Sequence, residues 1–176
     1  DDNVFTAGET ILMGMALSNI GSEIASNVSV TLSSTDQYIT IINPVLNIGN
    51  IASGDASSIE DFQIQLANNI PDEHLVELTV TIATIDGDVF EYNRSFIVYA
   101  PLITWGALQI DDSTGNNNGR IDAGENVTLT YTVTNSGHCN ASDISTDIVI
   151  DGVPYLIAPI ISTIDNLAIG MSAQLI

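Results

Sequence analysis

The sequence predicts an all-β fold, and three observations support that prediction. Apolar and polar residues alternate with a period of two over several short segments, as in antiparallel strands that have one buried face. Valine, isoleucine and threonine are abundant, and their branched Cβ atoms suit a pleated surface better than a helix. No segment sustains apolar residues at helical spacing.

The predicted strands follow from this alternation in chain order. They are Val28–Leu32, Val76–Ile82, Val89–Val98, Leu102–Ile110 and Thr128–Thr134. Asp86-Gly87 separates the second segment from the third and predicts a hairpin, because a tight hairpin turn needs positive φ. Within Thr128–Thr134, apolar residues occupy one face and threonines the other, which is the pattern of a half-buried strand.

An internal repeat divides the chain. A shift of 116 residues places Ala7-Gly8-Glu9 on Ala123-Gly124-Glu125 without a gap. The same shift aligns Asn19 with Asn135, Gly21 with Gly137, Ala25 with Ala141, Val28 with Ile144, Ile48 with Ile164 and Gly54 with Gly170. Two copies of one module are predicted, at residues 1–100 and 101–176. The boundary falls near Ala100-Pro101, where proline ends the last strand of the first copy.

The alignment also predicts that both copies are truncated. The first copy lacks a counterpart of Leu102–Ile110, and the second lacks a counterpart of Phe62–Tyr99. A sandwich that is short of strands exposes an apolar face and unpaired backbone groups. We therefore expect further residues of a parent protein, a neighbouring module or a protein partner to cover that surface. Strand addition from another chain could build a homo-oligomer or a filament.

The charge balance excludes several classes of partner. The chain has 22 Asp and Glu residues against two arginines, Arg94 and Arg120, and a formal net charge of −20. Binding to a nucleic-acid backbone or an anionic membrane surface needs several basic residues on one face. The apolar stretches are too short for a transmembrane helix. Cys139 is the single cysteine, so the fold holds without an intrachain disulfide.

The segment Asp111–Glu125 has the ligand spacing of a calcium loop. Ca²⁺ binds about six to eight oxygens from carboxylates, amides and backbone carbonyls. Gly119 fits the glycine of the sharp turn, whereas Thr114 stands at the first ligand position, so Asp111 or Asp112 would have to fill it. The predicted Ca²⁺ ligands are Asp111, Asp112, Asn116, Asn118, the carbonyl of Arg120, Asp122 and a bidentate Glu125.

The alternative is a solvated turn, because asparagine and glycine also favour turns. The sequence spacing argues against this alternative, because it brings together four carboxylates and only one arginine. Without a bound cation, the four carboxylates would repel each other. In the first copy, Thr6 replaces Asp122, so the turn alternative is favoured there. The repeated Asn-x-Gly motif is interpreted as structural, because both residues tolerate left-handed φ.

These motifs resemble a known family. A Gly-Glu pair, an alternating strand, Asn-x-Gly and Ala-x-x-Val or Ala-x-x-Ile resemble the CARDB-like family of bacterial immunoglobulin-like modules. The loop Asp111–Glu125 is similar to one that precedes such modules in large secreted Bacteroidetes proteins, including gingipain-type peptidases and surface adhesins. The resemblance implies tandem immunoglobulin-like β-sandwiches, export and a spacer or adhesive role. It does not imply catalysis, because the peptidase catalytic residues lie in a separate domain that this chain does not match.

Enzymatic interpretations find little support in the sequence. His138 and Cys139 are adjacent, so on a strand they would point to opposite faces. His74 is expected in a solvated loop before a strand. The sequence contains no nucleophile elbow, phosphate loop or cysteine pair for zinc. We expect no enzymatic activity from this chain.

Three functions remain open at this point. The first is a structural or adhesive module of a secreted or cell-surface protein, with Ca²⁺ stiffening the start of the second copy. The second is an accessory region of a secreted hydrolase such as a peptidase. The third is a carbohydrate-binding module, for which Trp105 is the one stacking candidate, although a core position is expected for it. The fold cannot choose among them, because sandwiches host many functions.

Overall fold

The computed structural model describes residues 4–145 and 163–176. These residues form strands and no helix, which confirms the all-β prediction. The chain divides into two compact units, Asp1–Tyr99 and Ala100–Ile176. In the first unit the strands are β1 (Phe5–Thr6), β2 (Thr10–Ser18), β3 (Ala25–Ser33), β4 (Ile39–Ile41), β5 (Val45–Ile51), β6 (Ala56–Leu66), β7 (His74–Ala83) and β8 (Val89–Tyr99). In the second they are β9 (Ile103–Trp105), β10 (Gln109–Asp111), β11 (Thr128–Asn135), β12 (Ala141–Ser145), β13 (Thr163–Leu167) and β14 (Ser172–Leu175).

The first unit is a sandwich of two sheets. One sheet has the order β1-β8-β7-β3-β5, and the other has the order β2-β6-β4. Alternate residues of the central strands point inward, so Val30, Val76 and Leu78 meet Phe62 and Ile64 in one core. Phe62 is fully buried, and its replacement by alanine would cost about 3–5 kcal/mol.

The hairpin predicted at Asp86-Gly87 joins β7 to β8. The two strands pair from His74 with Val98 to Ala83 with Val89. The connecting loop therefore has five residues, Thr84 to Asp88, and it is closed by a hydrogen bond from Thr84 N to Asp88 O of 3.0 Å. Gly87 has a φ of 96°, which explains why glycine suits this position.

The second unit is built around β11. This strand pairs with β14 on one side and with β9 and β10 on the other, while β12 pairs with β13. Its core cluster contains Val133, Ala141, Leu167 and Leu175.

The single strand predicted over Leu102–Ile110 is wrong, because the structure divides it into β9 and β10. Trp105 pairs with Val133 and Gln109 with Thr130, so three residues between β9 and β10 lie opposite two residues of β11, one more than a regular ladder has. An extra residue of this kind is a bulge, which interrupts a ladder locally. Gly106 lies at the break, where its N–H donates to Thr132 O at 2.7 Å.

The offset of 116 residues recurs in strand pairing. Leu17 pairs with Ser57 in the first unit, and Val133 pairs with Ala173 in the second. Asn27 and Asp143 stand at equivalent positions, and both have positive φ, 45° and 52°. Pairs β2–β6 and β11–β14 therefore share one register over the residues that correspond.

Candidate cation-binding loop

The loop between β10 and β11 turns on three residues with positive φ. These are Asn117 at 57°, Gly119 at 75° and Gly124 at 83°. Gly119 is the glycine to which the sequence assigned the sharp turn, and the left-handed region favours glycine there. The Thr114 hydroxyl donates a hydrogen bond to Asn126 O at 3.0 Å, which links the start of the loop to its end.

Two asparagines organise the centre of the loop. Asn116 Oδ1 accepts the N–H of Asn118 at 3.1 Å, and Asn118 Oδ1 accepts the N–H of Arg120 at 2.8 Å. These bonds are Asx turns, in which a short amide side chain replaces a backbone partner. Both side chains also donate from Nδ2 to Asp122 Oδ2, at 2.8 and 2.6 Å. The structure therefore brings Asn116, Asn118 and Asp122 together.

Glu125 completes this group from the C-terminal end of the loop. Its Oε1 accepts the N–H of Asn116 at 2.9 Å, and its Oε2 accepts the N–H of Asp122 at 3.2 Å. A Cβ on Gly115 would overlap the Glu125 carboxylate. A larger residue at position 115 would therefore displace the Glu125 side chain from this place, a close approach that the sequence did not predict.

The remaining predicted ligands lie at the margin of the group. Asp112 is buried, and its Oδ2 accepts the N–H of Gly119 at 2.9 Å. Asp111 instead accepts the N–H of Ser113 at 3.0 Å. Arg120 contributes its backbone N–H to the Asn118 turn. Of the two aspartates considered for the first ligand position, Asp112 is thus the one tied to the sharp turn.

Hydrogen bonding shifts the acidity of two carboxyls in the loop. The amide of Asn116, followed by that of Asn118, lowers the pKa of Asp122. The side chain and then the backbone of Ser113 lower the pKa of Asp111. In each case the donors stabilise the charged form.

The acidic side chains do not gather at a single point. Within residues 4–145 and 163–176, no three His, Cys, Asp or Glu side chains form a group that could hold a metal. The predicted convergence of four carboxylates is therefore not found in these residues, and the side chains that contact Asp122 are the amides of Asn116 and Asn118. Asn116, Asp122 and Glu125 line an open cavity of about 300 Å³.

The oxygen donors of the loop fit a hard cation in type. Carboxylate, amide and carbonyl oxygens are the ligands that Ca²⁺ takes, and no thiol or imidazole of the described residues belongs to this group.

Trp105 and His74 lie in surroundings that differ from those expected from the sequence. Trp105, the last residue of β9, is 62% exposed rather than in the core, and its ring contacts that of Tyr131 in a T-shaped arrangement with centroids 6.3 Å apart. His74 begins β7 instead of lying in a solvated loop. Its Nε2 lies 2.7 Å from Asp36 Oδ2, and its ring meets Tyr38 edge-on at 5.0 Å.

His138 and Cys139 lie between β11 and β12, the first exposed and the second half-buried. Among the described residues, no helix has the length and apolar character needed to cross a membrane.

Comparisons with known proteins give a family match within the second unit. No curated protein matches the chain. Among solved structures, the chain is similar to the YadV chaperone, at 12% identity and a TM-score of 0.37 over 98% of this chain and 79% of that one. It is also similar to the Pseudomonas aeruginosa CupB2 chaperone, at 12% identity and a TM-score of 0.29 over 98% and 83%. The CARDB family model matches residues 107–175, which supports a CARDB-like, immunoglobulin-like module of a non-catalytic family in the second unit.

Proposed function

We propose that this chain is a non-catalytic structural or adhesive part of a secreted or cell-surface protein, stiffened by Ca²⁺ at the loop Asp111–Glu125. The CARDB match supports a non-catalytic β-module. A lysine-free sequence rich in threonine, asparagine and β-branched residues is typical of secreted β-modules. The hydrogen-bonded group of Asn116, Asn118, Asp122 and Glu125 carries the calcium part of the proposal.

The residues proposed to hold Ca²⁺ are those that the loop already orders. Backbone N–H groups fix the Glu125 and Asp112 carboxylates, so these side chains lose little freedom when a cation binds. Fixing each carboxylate in advance lowers the entropy cost of binding, but the ion would still have to draw the carboxylates together, since no three acidic side chains of the described residues form a metal-holding group. Asn116, Asn118, Asp122 and the Arg120 carbonyl would supply the further oxygens, and Asp111 is the alternative to Asp112 at the first ligand position. The ion would supply positive charge to carboxylates that the loop compensates only with N–H dipoles.

Ca²⁺ would stabilise the second unit because the ligands are ordered only in the folded chain. At a hundredfold excess over the dissociation constant, linkage gives about 2.7 kcal/mol. Extracellular calcium modules bind with dissociation constants of about 0.1–1 mM. The loop begins close after the division between the units, so ordering it would stiffen the start of the second one.

Thermal unfolding with Ca²⁺, with Mg²⁺ and with chelator tests the proposal. We expect Ca²⁺ to raise the Tm and Mg²⁺ to raise it less, because Mg²⁺ demands a smaller octahedral cage. Glu125→Gln should abolish the calcium effect. Glu9→Gln, the same change at the equivalent position of the first unit, is the matched control and should leave it intact. Equal Tm values in Ca²⁺ and chelator would show that the loop is only a turn.

A further inference from the structure

The loop Asp111–Glu125 contains the one Asn-Gly pair of the sequence, Asn118-Gly119. In such a pair the nitrogen of the glycine can attack the side-chain amide carbon of the asparagine and close a succinimide ring. Glycine favours this attack, because it has no Cβ to crowd the ring. Both residues are exposed, and no atom of the described residues lies within 4 Å of the place that a Cβ on Gly119 would take. The loop therefore leaves room for the ring and admits the water that would open it.

The side chain of Asn118 is folded over the peptide bond that would react. Its Oδ1 accepts the N–H of Arg120, two residues on, at 2.8 Å. This Asx turn holds the side-chain carbonyl on the side of Gly119 N, which lies between the two bonded residues. The Arg120 N–H also points at the oxygen on which negative charge develops when the amide carbon is attacked. A donor in that place stabilises the developing charge, as an oxyanion hole does.

A buried carboxylate holds the proton that the attacking nitrogen must lose. Gly119 N donates to Asp112 Oδ2 at 2.9 Å, and Asp112 is 3% exposed. A carboxylate at hydrogen-bond distance from the proton is placed as a general base. Asp112 is therefore positioned to take the proton from Gly119 N as the ring closes.

Asn116 provides a comparison within the same loop. Its Oδ1 accepts the N–H of Asn118 at 3.1 Å, and its Nδ2 donates to Asp122 Oδ2 at 2.8 Å. Asn118 makes the same two kinds of bond, with its Nδ2 at 2.6 Å from Asp122 Oδ2. The residue after Asn116 is Asn117, which has a Cβ, whereas the residue after Asn118 is a glycine with its N–H on a buried carboxylate. The two asparagines should therefore differ in reactivity although their side chains are held alike.

We propose that the folded chain deamidates itself at Asn118. Gly119 N loses its proton to Asp112 and forms a bond to Asn118 Cγ. The bond from Cγ to Nδ2 then breaks, and that nitrogen regains a proton and leaves as ammonia. Water adds to the succinimide and opens it to an aspartate or isoaspartate at position 118. Water is the only further reagent, so the step needs no oxidant or cofactor.

The product would change the chemistry of the loop. An aspartate at position 118 puts a second carboxylate beside Asp122, where an amide donor now lies. Two carboxylates in contact repel each other, whereas ligand charge raises the affinity of a calcium site. Deamidation would therefore make the loop more dependent on Ca²⁺. This consequence rests on the proposed function, but the reaction itself does not.

Peptide mapping by mass spectrometry tests the reaction in the full chain, at neutral pH and in chelator. Two samples start from chain isolated in acidic denaturant, which suppresses ring closure, and one of them is then refolded. We expect position 118 to convert at least about tenfold faster in the folded sample than in guanidinium chloride, since a positioned general base contributes more than that. Position 116 should stay an amide over the same period. Equal or slower conversion at position 118 in the folded sample would overturn the proposal.

Two matched variants test the role of Asp112. Asp112→Asn removes the base and should slow the folded chain at least about tenfold. Asp165→Asn makes the same change at an exposed position of β13 in the same unit and should leave the rate unchanged. Equal rates in these two variants would exclude Asp112 as the base. If Asp112→Asn fails to fold, the folded and unfolded native samples still decide whether the fold drives the reaction.

Asn118→Asp separates this inference from the calcium proposal. We expect this variant to have a lower Tm than unconverted chain in chelator and a larger rise in Tm with Ca²⁺. If position 118 converts but the variant has the same Tm in Ca²⁺ and chelator, the reaction stands and the calcium proposal fails. If Ca²⁺ raises the Tm but position 118 keeps its amide, the calcium proposal stands and self-deamidation is wrong.

Discussion

The two units build the same turn before their first long repeated strand, yet only one of the turns lies in an acidic loop. Thr6 N donates to Glu9 Oε2 at 3.1 Å, and Asp122 N donates to Glu125 Oε2 at 3.2 Å. Gly8 and Gly124 have φ values of 81° and 83°. The glutamate therefore has a structural role in both units. What distinguishes the second turn is Asp122 and the two asparagines that contact it.

A second comparison concerns the repeated asparagines. Asn19 Nδ2 donates to Glu23 O and Ile51 O, and Asn135 Nδ2 donates to Cys139 O and Leu167 O. Asn135 also accepts the N–H of Leu102 at 3.3 Å and is fully buried, whereas Asn19 is half-buried. The shared bonds tie the end of one strand to its neighbours. The additional contact in the second unit comes from the segment that leads into β9.

Removal of these asparagines should give the largest difference between the units. Asn135→Ala removes side-chain hydrogen bonds to four backbone groups, two of them buried, so we expect a loss of about 3–5 kcal/mol in the unfolding free energy of the second unit. Asn19→Ala should cost about 1–2 kcal/mol in the first, because water reaches the freed groups. Hydrogen exchange measures each unit separately. Equal losses would mean that the difference in burial has no energetic consequence.

Substitution of Gly21 and Gly137, which follow the two asparagines by two residues, should give a smaller difference in stability between the units. A Cβ on Gly137 would overlap the backbone of Ala100 and Leu102, whereas a Cβ on Gly21 meets only the Asn19 side chain. Gly137→Ala should therefore destabilise the second unit by about 1–3 kcal/mol, and Gly21→Ala should change the first by less than about 0.5 kcal/mol. Denaturant unfolding followed by Trp105, the sole tryptophan, reports on the second unit. An unchanged midpoint for Gly137→Ala would contradict the close approach.

The features that could be predicted from the sequence are those set by neighbouring residues, such as strands and matching registers. Alternation identified β7, β8 and β11, because the side-chain period of a strand is two. The offset of 116 anticipated the matching registers of β2–β6 and β11–β14. The bulge between Trp105 and Gln109 was not predicted, since nothing in the alternation marks an extra residue.

Within the loop, the residue types were predictable from the sequence, but their hydrogen-bond partners were not. The spacing singled out Gly119, Asp122 and Glu125. The burial of Asp112 depends on the N–H of Gly119, seven residues away, and this contact exists only once the loop has closed. The exposure of Trp105 likewise depends on the position of the end of β9 in the folded unit, which the alternation of residues does not predict.

Low pH should lower the stability of the second unit through Asp122, which the first unit replaces with Thr6. We expect this change in stability to be smaller than those of the asparagine and glycine substitutions. Because amide donors lower the folded-state pKa of Asp122 below its ordinary value of 3.8, its contribution to stability is complete above that value. The contribution is lost as pH falls through the lowered folded-state pKa. Asp122→Asn should remove this part of the pH dependence in chelator. Trp105 fluorescence at decreasing pH checks it, and identical acid profiles for the two proteins would contradict the role of Asn116 and Asn118.

The most direct test of a calcium site at Asp111–Glu125 replaces Asp122 with threonine, the residue that the first unit has at the equivalent position. Isothermal titration calorimetry with Ca²⁺ compares the native chain with Asp122→Thr, since Thr6 is the equivalent residue. We predict saturable heat from the native chain and none from the variant, with the far-ultraviolet circular dichroism unchanged. Equal calcium affinity in the two proteins, or no calcium binding by the native chain, would contradict a calcium site at Asp111–Glu125.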